Sequence, residues 1–434
     1  MQRRRAPVIL SRPERNPCAK RYVAAARKIV VSACVYLKRG IYRVSNRSLH
    51  ILISAGEASG EMYAAQLLET LRGQEPGLES FGVGGKRMRA AGCDTIIDTS
   101  ELAVVGITEI LSHLPKIYRL FHQLVAEAER RKPDIAILID SPAFNWRVAR
   151  QMHRRGIPTV YYVCPQFWAW RQGRVRLLRK YIDKALVIFP FEEKFYRDRN
   201  VDATFVGHPL AELEHPAVER GEYAAQYGLD PEKHWITLMP GSRRNEVRMN
   251  LPTMLEAASQ FGRAYEFLLA IAPTLDREFL ESLLGGRAVT LVPESLPALW
   301  HSRAGIIASG TATVEAAMMA TPFVMVYRVT GLTYALGRRR IKVPHLAMVN
   351  LIAGERIVPE LVQANFTSGN IVEQLEKIIP DGPDRDRMLE GLARVKTRLR
   401  ASHQGNDADH AAERAADIVL RIHGRGQKRR VPGC

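Results

Sequence analysis

From residue 49 onward the chain alternates short apolar runs with amphipathic stretches, a rhythm that builds βα units and parallel sheets. Strands are expected in the first half at Ile51 to Ser54, Ile135 to Ile139, Thr159 to Val163, Ala185 to Ile188 and Ala203 to Val206, with helices between them. The segment from Val206 to His234 is broken by prolines and glycine, which sets a boundary there. A second series follows: "WITLMPGSRRNEV", "YEFLLAIAP", "AVTLVPE", "AGIIASGTATVEAAMMA" and "PFVMVYRV". Two doubly wound α/β halves of this kind hold ligands in the cleft outside the carboxyl ends of their strands. No repeat of 20 to 50 residues is evident, which argues against a solenoid. "RDRMLEGLARVKTRLRA", residues 385 to 401, reads as a charged amphipathic helix able to pack across both halves.

The expected organisation is a basic extension (1–48), a first Rossmann-like domain (49–215), a second (216–384), a helical segment (385–420) and a basic tail (421–434). Charge supports these limits. The net charge of +18 on 434 residues looks like a nucleic-acid signal until it is located. Residues 1–48 carry thirteen Lys and Arg against one Glu, residues 421–434 carry five and no acid, and residues 49–420 are left near +1. Five scattered cysteines without a CxxC give neither a disulfide framework nor a zinc site. "IVVSACVYL", Ile29 to Leu37, is about half the length that spans a bilayer. Its readings are a disordered or misassigned start and a basic amphipathic segment lying on anionic lipid.

"LMPGSRRNEV" carries the strongest phosphate signal. Gly241 permits close backbone approach, Ser242 can donate a hydrogen bond, and Arg243 can fork onto phosphate oxygens; a tight turn with exposed arginines is the other reading. "ASGTATVE" supplies a second loop in which Ser309, Gly310, Thr311 and Thr313 face phosphate and Glu315 accepts from ribose hydroxyls or serves as a helix-start acid. Neither loop fits GxxxxGK[ST] or GxGxxG, which weighs against a P-loop ATPase or a hydride-transfer enzyme.

"ILISAGEASGEM" sets acid, Glu57 and Glu61, in a strand-to-helix turn that ordinarily receives phosphate, so another ligand is expected in that half. "DIAILIDSPAFN" puts Asp140 at a strand end, where partial desolvation raises its affinity for a proton and suits a general base; a helix N-cap is equally common there. Asn145, one turn on, can orient a sugar hydroxyl. "CPQFWAWRQGRV" gathers Trp168, Trp170 and Arg171, fitting a sugar or acyl chain beside an anionic group, or an interdomain core with a charged rim. "EILSHLPKIYRLFHQL" reads as a packed helix or a membrane-facing one.

These motifs, with "FGVGGKRM", "VVGITEIL", "FPFEEKFY", "FVGHPL" and "VNLIAGERIVPELVQ", resemble in order those of the lipid-A-disaccharide synthase family, glycosyltransferases of GT-B architecture, over roughly residues 50 to 400. The resemblance implies transfer of 2,3-diacylglucosamine from its UDP derivative to 2,3-diacylglucosamine 1-phosphate, releasing UDP, at the cytoplasmic face of a Gram-negative inner membrane. It implies Asp140 as base, Glu57 as an essential cleft acid, and Arg243, Glu315 and Asn350 on the donor side, with Asn350 either in a cleft-facing loop or holding a turn or cap. Ser59 and Gln363 fall to the acceptor side, Gln363 facing either acceptor or solvent. Glu61 stands where the family more often has Asp. No cofactor or metal is expected, no nucleic acid is a partner, and a homodimer stays open. An enzyme resembling UDP-N-acetylglucosamine 2-epimerase is the alternative, and a nucleic-acid binder acting through its tails is a third.

Overall fold

The computed structural model describes residues 48–102, 107–331, 334, 343–401 and 410–430. The basic leader up to residue 47, with Cys18 and Cys34, the beginning of "VVGITEIL" and the last four residues lie outside them. Leu49 opens the compact unit that contains both sheets.

Seven strands form the first sheet: β1 (His50–Ala55), β2 (Glu79–Gly84), β3 (Asp94–Asp98), β4 (Ile135–Ile139), β5 (Thr159–Tyr162), β6 (Lys184–Val187) and β7 (Ala203–Phe205). They pair in parallel in the order β3-β2-β1-β4-β5-β6-β7. Six more form the second: β8 (His234–Met239), β9 (Tyr265–Ala270), β10 (Thr290–Val292), β11 (Ala304–Ala308), β12 (Phe323–Tyr327) and β13 (Glu360–Val362). Their order, β10-β9-β8-β11-β12-β13, repeats the Rossmann pattern, and all are parallel.

Burial explains why the central strands were the easiest to read. Ile51, Leu52 and Ile53 in β1 and all five residues of β4 are fully buried, because helices cover both faces of a parallel sheet and every side chain must then be apolar. Two strands had no such signature. β2 contains Gly82, where a Cβ would fall on the Ile53 carbonyl, so the strand gives up side chains for close backbone approach. β3 lies at the sheet edge and begins and ends on aspartate.

In each sheet the order reverses beside the first strand, between β1 and β4 and between β8 and β11. Successive helices there leave for opposite faces, which opens a crevice at the carboxyl ends of the strands. The first crevice lies between the loops that follow Ala55 and Ile139, the second between those that follow Met239 and Ala308.

The chain finally returns to its first half. The Pro383–Leu399 helix packs against second-half helices, and its Leu399 carbonyl accepts from the His208 N–H at 2.9 Å. The Ala411–Arg430 helix then packs on the Ala58–Gln74 helix, with Arg414 Nε donating to the Val206 carbonyl at 2.6 Å. Among the described residues no helix is long and apolar enough to cross a membrane.

Candidate active site

Glu57 ends the loop after β1 in an extended conformation, with its carboxylate exposed just ahead of the Ala58–Gln74 helix. Ser59 follows in the first turn of that helix, half-buried. Across the crevice, Asp140 and Ser141 have φ of 47° and 45°. Two successive left-handed residues without glycine are strained by on the order of 1–3 kcal/mol each and persist only where surroundings dictate them. The surroundings are specific. The Asp140 carbonyl accepts from Tyr161 Oη at 2.6 Å and Asn145 Nδ2 at 2.9 Å. Asn145 Nδ2 also lies 3.0 Å from the Ile139 carbonyl and 3.2 Å from that of Ser54, and its Oδ1 accepts from Ser54 Oγ at 2.7 Å. Gly56 is bare because a Cβ there would enter the Ser141 side chain.

Asn145 is therefore not available to a sugar hydroxyl. It is fully buried, and every polar atom of its amide is committed to the turn that presents Asp140. Burial first, and the Glu57 carboxylate second, push the Asp140 pKa up to about 7, opposed by the Ser141 N–H and by Arg243.

Glu61 has a different task from Glu57. Its Oε1 accepts from the Arg87 N–H at 2.8 Å and its carboxylate lies over Gly85, so it caps the short Lys86–Ala90 helix. Of the two acids in the turn, only Glu57 faces the crevice.

In the second half, Gly241 has φ 127° and leads through Ser242 and Arg243 into the Arg244–Ala258 helix. Arg243 Nη1 donates to Glu246 Oε1 at 2.9 Å, and its Nη2 lies 3.6 Å from Glu57 Oε2 in the first half. Buried Asn250 holds the loop from behind, donating from Nδ2 to the Pro240 carbonyl at 2.9 Å and accepting from the Arg328 N–H at 3.1 Å.

The facing loop keeps less of its expected hydroxyl chemistry. Ser309 Oγ donates to the Leu346 carbonyl at 2.9 Å, and Thr313, fully buried, donates to the Gly310 carbonyl at 2.8 Å. Gly310, at φ 142°, has open space where a side chain would stand, and Thr311 is exposed. Glu315 accepts from Ser295 Oγ at 2.8 Å, and burial raises its pKa.

Asn350, Gln363 and Trp168 all make contacts within the fold. Asn350 does not face the cleft: it is fully buried, donating to the Val358 carbonyl and Glu360 Oε1 and accepting from the Ile357 and Val358 N–H groups. Gln363 is half-buried, and its amide pairs with the Val329 backbone in the second half. Trp168 is 5% exposed, donates to Glu192 Oε1 at 2.8 Å and meets Phe191 edge-on, so it is core. Trp170 is 45% exposed, with the Arg171 guanidinium 4.3 Å from its ring centre, and keeps the surface role open to such a pair.

Sequence reasoning passed over Tyr161, Glu246, Asn250 and Glu360. Glu360 accepts from the Leu346 and Ala347 N–H groups and from Asn350, and so fixes the segment that receives Ser309. The available signal was a polar residue inside an apolar run, as in "VRMNLP" for Asn250.

The model of the family described as lipid-A-disaccharide synthetase matches residues 51–416. The lipid-A-disaccharide synthase of Koribacter versatilis is 53% identical over 379 residues, covering 86% of this chain and 98% of that protein. The glycosyltransferase of kitacinnamycin, 16% identical, superposes with a TM-score of 0.58 over 86% of this chain and 99% of its own. The UDP-GlcNAc 2-epimerase of Neisseria meningitidis, 12% identical and solved with UDP-GlcNAc, gives 0.55 over 87% and 99%. Both structures share the two-Rossmann GT-B architecture with this chain.

Proposed function

We propose a specific reaction for this chain, which belongs to the lipid-A-disaccharide synthase family of glycosyltransferases: inverting transfer of 2,3-diacylglucosamine from UDP to the 6-hydroxyl of 2,3-diacylglucosamine 1-phosphate. Asp140 takes the hydroxyl proton as the acceptor oxygen bonds to the anomeric carbon. The bond from that carbon to the diphosphate breaks on the opposite face, and its electron pair leaves with UDP. The observation that carries this reading is the pairing of opposite chemistries across the cleft. The first crevice offers Asp140 and Glu57; the second offers Gly241, Ser242 and Arg243, and only 3.6 Å separates Arg243 from Glu57.

A base whose pKa stands near 7 is suited to accept a proton at neutral pH, and burial brings Asp140 there. Arg243 and the N–H groups at the start of the Arg244–Ala258 helix neutralise the departing diphosphate. Glu315, behind Gly310 and Thr311, takes the ribose hydroxyls. The acylated substrates reach the protein at the cytoplasmic surface of the inner membrane, where exposed Trp170 with Arg171 and the basic leader meet anionic lipid.

Incubation with the UDP-diacylglucosamine donor, with and without the acylated sugar phosphate, tests the reaction. UDP release and a disaccharide mass only when both are present are expected, with Asp140→Asn lowering kcat about 10²- to 10⁴-fold. Release of UDP from donor alone, accompanied by an epimerised sugar, would place the chain with the epimerase chemistry instead.

A further inference from the structure

Glu246 is the third residue of the Arg244–Ala258 helix, and its carboxylate occupies the loop that precedes it. Oε1 accepts from Arg243 Nη1 at 2.9 Å, and Oε2 accepts from the Ser242 N–H at 3.3 Å. The same Oε2 stands 2.8 Å from the point where a Cβ on Gly241 would lie, so it rests against bare backbone. An acid at this helical position usually reaches back to the N–H of the N-cap residue. Here the N-cap is Arg243, and Glu246 reaches one residue further, to Ser242, while also taking the guanidinium.

Gly241, Ser242 and Arg243 are the groups that would receive a diphosphate, and a carboxylate makes the same demands on them: negative oxygen, N–H donors and a guanidinium fork at a helix start. We propose that Glu246 is the resident anion of the diphosphate cradle, holding Arg243 and the Ser242 N–H in the receiving geometry until the donor arrives and displaced by the diphosphate when it does. The inference rests on the assignment of that loop to the diphosphate.

The loop does not need Glu246 to keep its path. Asn250 holds the Pro240 carbonyl and Thr274 Oγ1 donates to the Ser242 carbonyl, so the backbone is pinned by contacts that do not involve Glu246. What Glu246 contributes is charge. Once displaced it stays tethered to the helix start, a like charge within a few ångströms of the bound phosphates, and it weakens UDP binding and speeds product release.

Calorimetric titration of the full chain with UDP and with uridine tests this. Glu246→Gln keeps the size and removes the charge; UDP should bind about tenfold tighter, with uridine unaffected. Glu246→Asp keeps the charge on a shorter arm, and its UDP affinity should stay close to that of the parent. Equal or weaker UDP binding by Glu246→Gln, in a protein with unchanged melting temperature, overturns the proposal, as does equal tightening by both variants. Arg243→Ala separates this from the underlying assignment. If it leaves UDP affinity intact, the loop is not the diphosphate site; if it weakens UDP while Glu246→Gln does not tighten it, only the resident-anion role falls.

Discussion

Arg243 Nη2 lies 3.6 Å from Glu57 Oε2, joining the loop after β8 to the loop after β1 across the cleft. Both side chains are exposed, at 66% and 48%, so the pair adds little to stability. Its consequence is electrostatic. Glu57 and Arg243 act with opposite sign on the same neighbour, Asp140, which burial has already moved toward neutral pH.

Activity should therefore rise with pH through a limb near 7, as Asp140 loses its proton and becomes able to accept one. Glu57→Gln removes a charge that raises the Asp140 pKa, so the limb should move down; Arg243→Ala removes one that lowers it, so the limb should move up. Profiles of kcat/KM between pH 5 and 9 read both shifts. Movement of both variants in one direction contradicts the assignment of that limb to Asp140.

Arg243→Ala should also lower kcat about 10²- to 10³-fold through the unneutralised leaving group. Arg243→Lys should fall between, since an ammonium supplies charge without the planar fork. Because the side chain is exposed, thermal melting should shift by no more than a degree or two. A large drop in melting temperature would mean that Arg243 holds the halves together and that the kinetic loss is structural.

Gly56→Ala is expected to cost more than an added methyl suggests. Its Cβ would enter the Ser141 side chain, and Ser141 cannot easily yield because its backbone is already left-handed and tied to Asp140. The loss should be about 1–3 kcal/mol of stability together with a fall in kcat. Ser141→Gly clears the space and suits φ 45°, so the double variant should recover most of both. Urea midpoints and initial rates of the two singles and the double decide it; no recovery in the double would place the clash elsewhere.

What was legible in the sequence followed from what each residue must satisfy locally. β1 and β4 announced themselves because burial on two faces leaves only apolar residues; Asp140 directly follows β4 and so lies at a strand end, whereas Arg243 is set off from β8 by the turn Pro240 to Ser242. β2 was hidden because Gly82 serves a contact with β1 that no local pattern records. Asn145 and Asn350 are ambiguous in the sequence for a related reason. A polar residue among apolar neighbours points equally to a ligand or to a carbonyl of the same fold, and only the folded partners of these two amides decide between them. Trp168 and Trp170 are separated by one residue, yet one is core and the other surface, which aromatic content alone does not distinguish.

Glu192 offers a last prediction, independent of catalysis. It is buried, accepts from the Trp168 indole at 2.8 Å and from the Ile188 and Phe189 N–H groups at 3.2 and 3.1 Å, and burial raises its pKa to about 7. Below the ordinary glutamate pKa the group is protonated in folded and unfolded chains alike, so it imposes no penalty. As pH rises, the unfolded chain ionises first, and stability is lost progressively until the folded carboxyl also ionises near 7. The loss is on the order of 3 kcal/mol for a shift of this size. Glu192→Gln has no proton to lose, so whatever its stability relative to the parent at pH 5, that difference should move in its favour by pH 8. Trp168→Phe should do the reverse: the indole favours the ionised carboxylate, so its removal should cost more at pH 8 than at pH 5. Urea midpoints of the three proteins at the two pH values test the sign of both changes, and parallel curves for parent and Glu192→Gln would show that Glu192 does not titrate in this range.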